Sequence, residues 1–152
     1  MIDSRHIGRR SPTFQVEVEK GRLRLFAKTI GERDAIYVDE AAARQAGYRS
    51  LPAPPTFLFG LALEQPEPFA WFAGIGLDLP RVLHGEQSFT YHAVACAGDR
   101  LQVDHRIADI FTKAGGALQF VVRETRLRFA GGGPVADLRS VFIQPEALEK
   151  PR

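Results

Sequence analysis

From Thr13 to Val18 polar and apolar residues alternate, which predicts a short strand. Leu23, Phe26, Ala27 and Ile30 then recur at helical spacing, so Lys20–Ile30 reads as an amphipathic helix. Gly31 ends it in the left-handed cap that glycine adopts without strain. A second helix comes next, with Asp39 as N-cap, good helix formers over Glu40–Ala46 and Gly47 behind. Pro52, Pro54 and Pro55 precede Thr56-Phe-Leu-Phe-Gly-Leu-Ala-Leu63. Proline is tolerated in a first helical turn, where its missing N–H has no partner to lose. A helix apolar on all sides must be buried, so Pro55–Leu63 is expected as a central buried helix. Gly60 on it would admit the close approach of a sheet.

Strand patterns fill the second half. Glu86–Ala95 alternates around Phe89, Tyr91 and Ala93. Arg100–Phe111 carries Leu101, Val103, His105, Ile107 and Asp109 on one parity. Leu118–Phe129 carries Phe120, Val122, Leu127 and Phe129, and Val135–Gln144 carries Leu138, Val141 and Ile143. Gly98-Asp99, Gly115-Gly116 and Gly131-Gly132-Gly133 punctuate them as turns. Short turns between consecutive strands predict an antiparallel meander. One buried helix with a curved antiparallel sheet around it is an α+β architecture.

Composition narrows the function classes. The 152 residues make one domain, 1–152, with 45% hydrophobic and 25% charged residues. The single cysteine, Cys96, excludes an internal disulfide and a multi-cysteine zinc site. No two histidines have metal-site spacing, so neither metal nor cofactor is expected. A net charge of +2 without a basic stripe argues against a nucleic-acid partner. The basic residues are 16 Arg and 4 Lys, and Arg suits carboxylate and phosphate groups through its planar fork. Arg5, Arg9 and Arg10 predict a loosely ordered basic arm over 1–12, and the charged residues 146–152 a tail. The longest apolar stretch, near Phe57–Leu63, falls short of the ~20 residues of a membrane span. With no signal-peptide run, a cytoplasmic location is expected.

Three blocks in order carry a resemblance. They are Phe26-Ala-Lys-Thr-Ile-Gly-Glu-Arg-Asp-Ala-Ile-Tyr-Val-Asp39 with Ala43 and Gly47-Tyr48, then Ala53-Pro-Pro-Thr-Phe57, then Leu83-His-Gly-Glu-Gln-Ser-Phe-Thr-Tyr91 followed by Ala97-Gly-Asp-Arg-Leu101. From about Val16 to Ile143 the chain resembles the N-terminal half of MaoC-like dehydratases. The resemblance implies a hot dog fold, a long helix wrapped by an antiparallel sheet. It implies addition or removal of water across the double bond of enoyl or (R)-3-hydroxyacyl thioesters of coenzyme A or acyl carrier protein. It also implies a dimer, or two fused halves, with the substrate tunnel between them.

That chemistry needs a base for water and a polarised thioester carbonyl. In the family an Asp and a His of a Gly-Asp-x-Asn-Pro-x-His loop handle the water. The matching stretch here is Gly31-Glu32-Arg33-Asp34-Ala35-Ile36-Tyr37, so Glu32 stands at the Asp position and Tyr37 at the His position. Tyrosine, with an ordinary pKa near 10, is a poor base at neutral pH. The family's Ala-His-Gly at the central helix is Ala53-Pro54-Pro55 here, leaving the Thr56 and Phe57 N–H groups to meet a carbonyl oxygen. His84-Gly85-Glu86-Gln87 works the other way. Two-residue alternation would place His84 and Glu86 on one face, where they could hold water or a thioester. The alternative is that His84 closes a strand end and Glu86 pairs with an arginine. His92 and His105 read as half-exposed or satisfied core positions, His6 has no assigned role, and Cys96 reads as a small buried hydrophobe. From residue type and loop location, Arg49 or Arg81 is the expected contact for the phosphates of coenzyme A at the tunnel mouth.

Three functions remain open. The first is a homodimeric hydratase or dehydratase using His84 with Glu86 or Asp34, while Glu32, Tyr37, Thr56, Phe57, Gly85 and Gln87 bind substrate. The second is a non-catalytic binding subunit whose separate, related partner carries the Asp/His dyad. The third is a thioesterase on the same fold, with Glu64 or Glu86 as its carboxylate.

Overall fold

The computed structural model describes residues 2–65 and 67–146. Pro66 and most of the tail expected over 146–152 therefore lie outside the described residues. Five strands form one antiparallel sheet: β1 (Phe14–Glu17), β2 (Leu83–Tyr91), β3 (Arg100–Lys113), β4 (Leu118–Phe129) and β5 (Pro134–Pro145). Their spatial order is β1-β3-β4-β5-β2. Only β3, β4 and β5 form the expected meander. β2 crosses over to pair with β5 and becomes an edge. Turn residues specify neighbours joined by a hairpin. The Tyr91–Arg100 connection is no hairpin; it is held to other segments by Ala53 N–H donating to the Ala95 carbonyl at 2.8 Å and Ala97 N–H to Leu51 at 2.8 Å.

Four short helices cover the inner face. Helix α1 (Lys20–Thr29) buries Leu23 and Ala27, but Ile30, expected on the same stripe, lies beyond its end and is exposed. In α2 (Glu40–Gln45) the Asp39 carboxylate accepts from Ala41 N–H, the N-cap bond its position foretold. Helix α3 (Phe57–Leu61) is five residues long rather than the full Pro55–Leu63, and it buries Phe57, Leu58 and Leu61. At its head the Phe57 N–H donates to the Pro54 carbonyl at 2.9 Å and the Phe59 N–H to Thr56 at 3.2 Å, tight three-residue turns where the helix was expected to begin. A Cβ at Gly60 would meet nothing within 4 Å, so no sheet presses on it. Helix α4 (Ala70–Ala73) has no counterpart in the sequence pattern; it seats Phe72 in the core.

The segment expected as a loose arm is instead laid along β3. Gly8 N–H donates to Ile107, Ile107 N–H to Arg9 and Ser11 N–H to His105, at 2.9 to 3.0 Å. Ile2 is buried, with its N–H on the Gln119 side chain at 2.7 Å.

Two apolar clusters lie along the sheet. One joins Val16, Leu101, Val103, Leu127, Ala136 and Leu138 to Leu23, Ala43 and the α3 residues. The other joins Ile107, Ile110, Val121 and Phe142 to Ile2, Phe72, Ile75 and Leu77. A bulge between Ile107 and Asp109 shifts parity, so Ile110 turns inward and Asp109, expected inside, is exposed. On β4 Gln119, Val121, Arg123, Thr125 and Leu127 are buried on one parity; of the expected Phe120, Val122, Leu127 and Phe129, Val122 and Leu127 are buried while Phe120 and Phe129 are half-buried.

Candidate functional site

Antiparallel register lines up inward side chains in rows across the sheet. One row holds His105, Thr125, Leu138 and Phe89. The next holds Ile107, Arg123, Ser140 and Gln87, and the third Ile110, Val121, Phe142 and His84. Polar groups thus form a band between the two apolar clusters. The Ser140 hydroxyl donates to Gln87 Oε1 at 2.6 Å, and His105 Nδ1 lies 2.9 Å from Thr125 Oγ1.

At the third row the structure opens into an apolar cavity of about 460 Å³. Its walls are Phe69, Phe72, Leu79, Pro80, Val82, His84 and Phe142. The His84 ring is stacked between Phe59 and Phe142, with both centroids at 5.2 Å, so its orientation is fixed by two aromatic faces. A volume and lining of this kind suit an acyl chain or a similar apolar ligand.

Gly85 decides what His84 can work with. The β2–β5 register slips between His84 and Glu86, so His84 faces Phe142 while Glu86 faces Val141, on the other side of the sheet. The expected His84–Glu86 pair is therefore not formed. Glu86 points outward, 3.9 Å from Arg139, as an exposed ion pair. A Cβ on Gly85 would sit 2.6 Å from Ile143 Cδ1, so only glycine fits this slip without displacement. Gln87, back on the inner face, joins the polar band.

The loop residues lie apart from the cavity lining. Glu32 Oε1 accepts from the Arg33 and Asp34 N–H groups at 2.7 and 2.9 Å, and Asp34 caps a 3-10 turn by accepting from Ile36 N–H at 3.1 Å. Burial pushes the Tyr37 phenol above its ordinary value, helped by the negative charge of Glu32, so it is still further from acting as a base. Thr56 is exposed at the head of α3, and the Phe57 N–H is spent on Pro54, 2.9 Å away. Arg49 is ion-paired with Asp99, and Arg81 donates to the Pro145 carbonyl beside the cavity residues Leu79 and Pro80. Glu64 is ion-paired with Arg22. His92 lies 2.8 Å from Asp137, and Cys96 is buried and free.

The residues the sequence pattern missed are Arg123 and Trp71, and His105 in the role it has here. His105 is 1% exposed. Burial, then the nearby Arg123 charge, pushes its pKa down to about 3, against a smaller favourable contribution from the Ala62 backbone. Among the described residues His105 Nε2 has no hydrogen-bond partner within bonding geometry, although the Ala62 backbone lies near the ring. Arg123 is likewise 1% exposed, and burial lowers its pKa to about 10. Its guanidinium lies over Phe72 and Phe142, at 5.2 and 5.1 Å. Alternation on β4 gave no usable signal, because apolar residues stand on both parities, Leu118, Phe120 and Val122 on one and Val121, Leu127 and Phe129 on the other. Among the described residues no group of His, Cys, Asp and Glu could hold a metal ion, and no helix is long and apolar enough to cross a membrane.

Comparison with known proteins agrees with this architecture. The family model of the FAS1-like dehydratase domain region matches residues 5–138. A protein of Saccharopolyspora erythraea, known only as a UPF0336 protein, is 34% identical over 151 residues, covering 99% of this chain and 96% of its own. Among solved structures, the C-terminally truncated HadBC (3R-hydroxyacyl-ACP dehydratase) complex from Mycobacterium tuberculosis superposes with a TM-score of 0.79 at 24% identity, covering 91% of this chain and 96% of that one. A MaoC-like dehydratase superposes with a TM-score of 0.82 at 22% identity, covering 93% of this chain but 43% of the other. The fold is the hot dog fold.

Proposed function

Because the chain belongs to the FAS1-like dehydratase family of MaoC-like hot dog proteins, we propose that it is the acyl-binding half of a hydratase or dehydratase acting on enoyl or (R)-3-hydroxyacyl thioesters. In this reading a related hot dog chain supplies the Asp/His dyad. The observation that carries it is the Gly85 slip, which leaves a well-formed apolar cavity with one histidine and no carboxylate in its lining. Hydration needs a base and an oxyanion site. Here Glu32 and Asp34 are engaged with local N–H groups, Tyr37 holds its proton, and the head of α3 has lost its free Phe57 N–H.

A partner has a place to dock. Among the described residues one long side of β2 is bonded to β5 and the other is unpaired, and Leu83, Tyr91 and Val94 are exposed along that region. An unpaired edge carrying apolar side chains favours pairing with another strand. HadBC is itself a complex, which supports a two-chain assembly here. His84 favours one other reading, a self-contained hydratase in which this ring alone activates water.

The test is hydration of enoyl-CoA substrates by the pure chain, then by the chain with a related hot dog protein that carries the dyad. The expected result is thioester binding without turnover alone, and turnover in the mixture. Full turnover by the chain alone, lost in His84→Ala, would replace this reading with the self-contained one.

A further inference from the structure

Buried polar groups are almost always hydrogen-bonded, and a buried charge is almost always paired. Three buried side-chain atoms break this rule among the described residues: Arg123 Nε, His105 Nε2 and Trp71 Nε1. They belong to one cluster. The Trp71 and His105 rings are 6.1 Å apart, and His105 is held to Thr125, one inward position along β4 from Arg123. Arg123 has no carboxylate within ion-pair distance among the described residues, although Arg106, Arg10 and Arg139 on the same sheet region all have one.

A guanidinium removed from water without an anion is costly, and the fold gains no ion pair in return. The two aromatic rings it lies over, Phe72 and Phe142, are walls of the apolar cavity. Trp71 meets Phe72 edge-on, with ring centroids 5.5 Å apart, so its unpaired N–H belongs to a ring packed on a wall residue of the cavity. Indole N–H and guanidinium N–H only donate. What they lack is an acceptor, and the planar Arg fork matches the two oxygens of a carboxylate.

We propose that the Arg123–Trp71–His105 cluster is a binding site for a carboxylate carried into the core on the apolar ligand that fills the adjoining cavity. The proposal rests on reading that cavity as an acyl site. The ligand class is then an acyl chain bearing a carboxylate, with its methylenes against Phe69, Phe72 and Phe142 and its oxygens on Arg123.

The chain has a single tryptophan, so Trp71 emission reports directly on the cluster. The full chain is titrated with dodecanoate, dodecanol and methyl dodecanoate, with Trp71 fluorescence and heat of binding as readouts. Dodecanoate is expected to bind at least about tenfold more tightly than either neutral analogue and to shift Trp71 emission, the size of effect a charge-assisted hydrogen bond gives. In Arg123→Met the three affinities should converge. Equal affinities in the wild-type protein, as water alone in the cluster would give, overturn the proposal without any variant. So does a carboxylate preference that survives in Arg123→Met. A parallel titration with dodecanoyl-CoA separates the two readings. Thioester binding without carboxylate preference sinks this inference alone, and carboxylate binding without thioester binding sinks the proposed function alone.

Discussion

His105 makes the stability of this protein depend on pH in a calculable way. Its ring is 1% exposed, and burial beside Arg123 lowers its pKa to about 3. In the unfolded chain the same ring titrates near 6.5. Below that pH the unfolded state takes up a proton that the folded state refuses, so stability is lost as pH falls from about 6.5 toward 3. At pH 5 the loss is about 2 kcal/mol, at 1.36 kcal/mol per pH unit, and it hardly changes if the folded value is a unit higher. For a chain of this size that is about 4–8 °C in Tm. The assay is urea and thermal unfolding of wild type and His105→Gln at pH 7, 6 and 5. The variant is expected to lose stability at pH 7, because it disturbs the Thr125 contact, yet to fall less steeply with acid. Taking the difference between the two proteins cancels the other titrating groups. Parallel pH profiles would refute the assignment of His105 as a buried neutral ring.

Gly85→Ala should cost about 1–3 kcal/mol in urea unfolding, because the new Cβ sits 2.6 Å from Ile143 Cδ1. Ile143→Val removes that methyl and should recover part of the loss in the double variant. Asp99→Ala should cost about 1–3 kcal/mol, since it leaves the buried Cys96 N–H, now 2.7 Å from the carboxylate, without an acceptor. Asp99→Asn should cost less, because it keeps an oxygen at that point; chemical denaturation of both variants decides it.

Local order was legible in the chain because its causes are local. Asp39 caps α2 through its own carboxylate, Leu23 and Ala27 bury one face of α1, and Gly131-Gly132-Gly133 turns β4 into β5. The four main strands lie where alternation put them, to within a few residues. The resemblance blocks reached the hot dog fold, which the solved structures share. Placing the site residues failed where a single inserted residue changed parity. Slips at Gly85 and before Asp109 each reverse the face of the later residues on their strand, and nothing in an alternating pattern marks a bulge.

The sequence by itself determined an α+β chain, most of its helices, its strands and His84 as a residue of interest. Tertiary structure alone decided the rest. Hydrogen bonding between distant segments put β2 beside β5, separated His84 from Glu86, and tied the basic N-terminal segment to β3. Register across β3, β4 and β5 gathered His105, Thr125, Arg123 and Ser140 into one buried band. Each of these residues looks like an ordinary polar position on its own strand. Which face it occupies depends on partners far away in the chain, and burial without a partner is a property of that arrangement rather than of any residue.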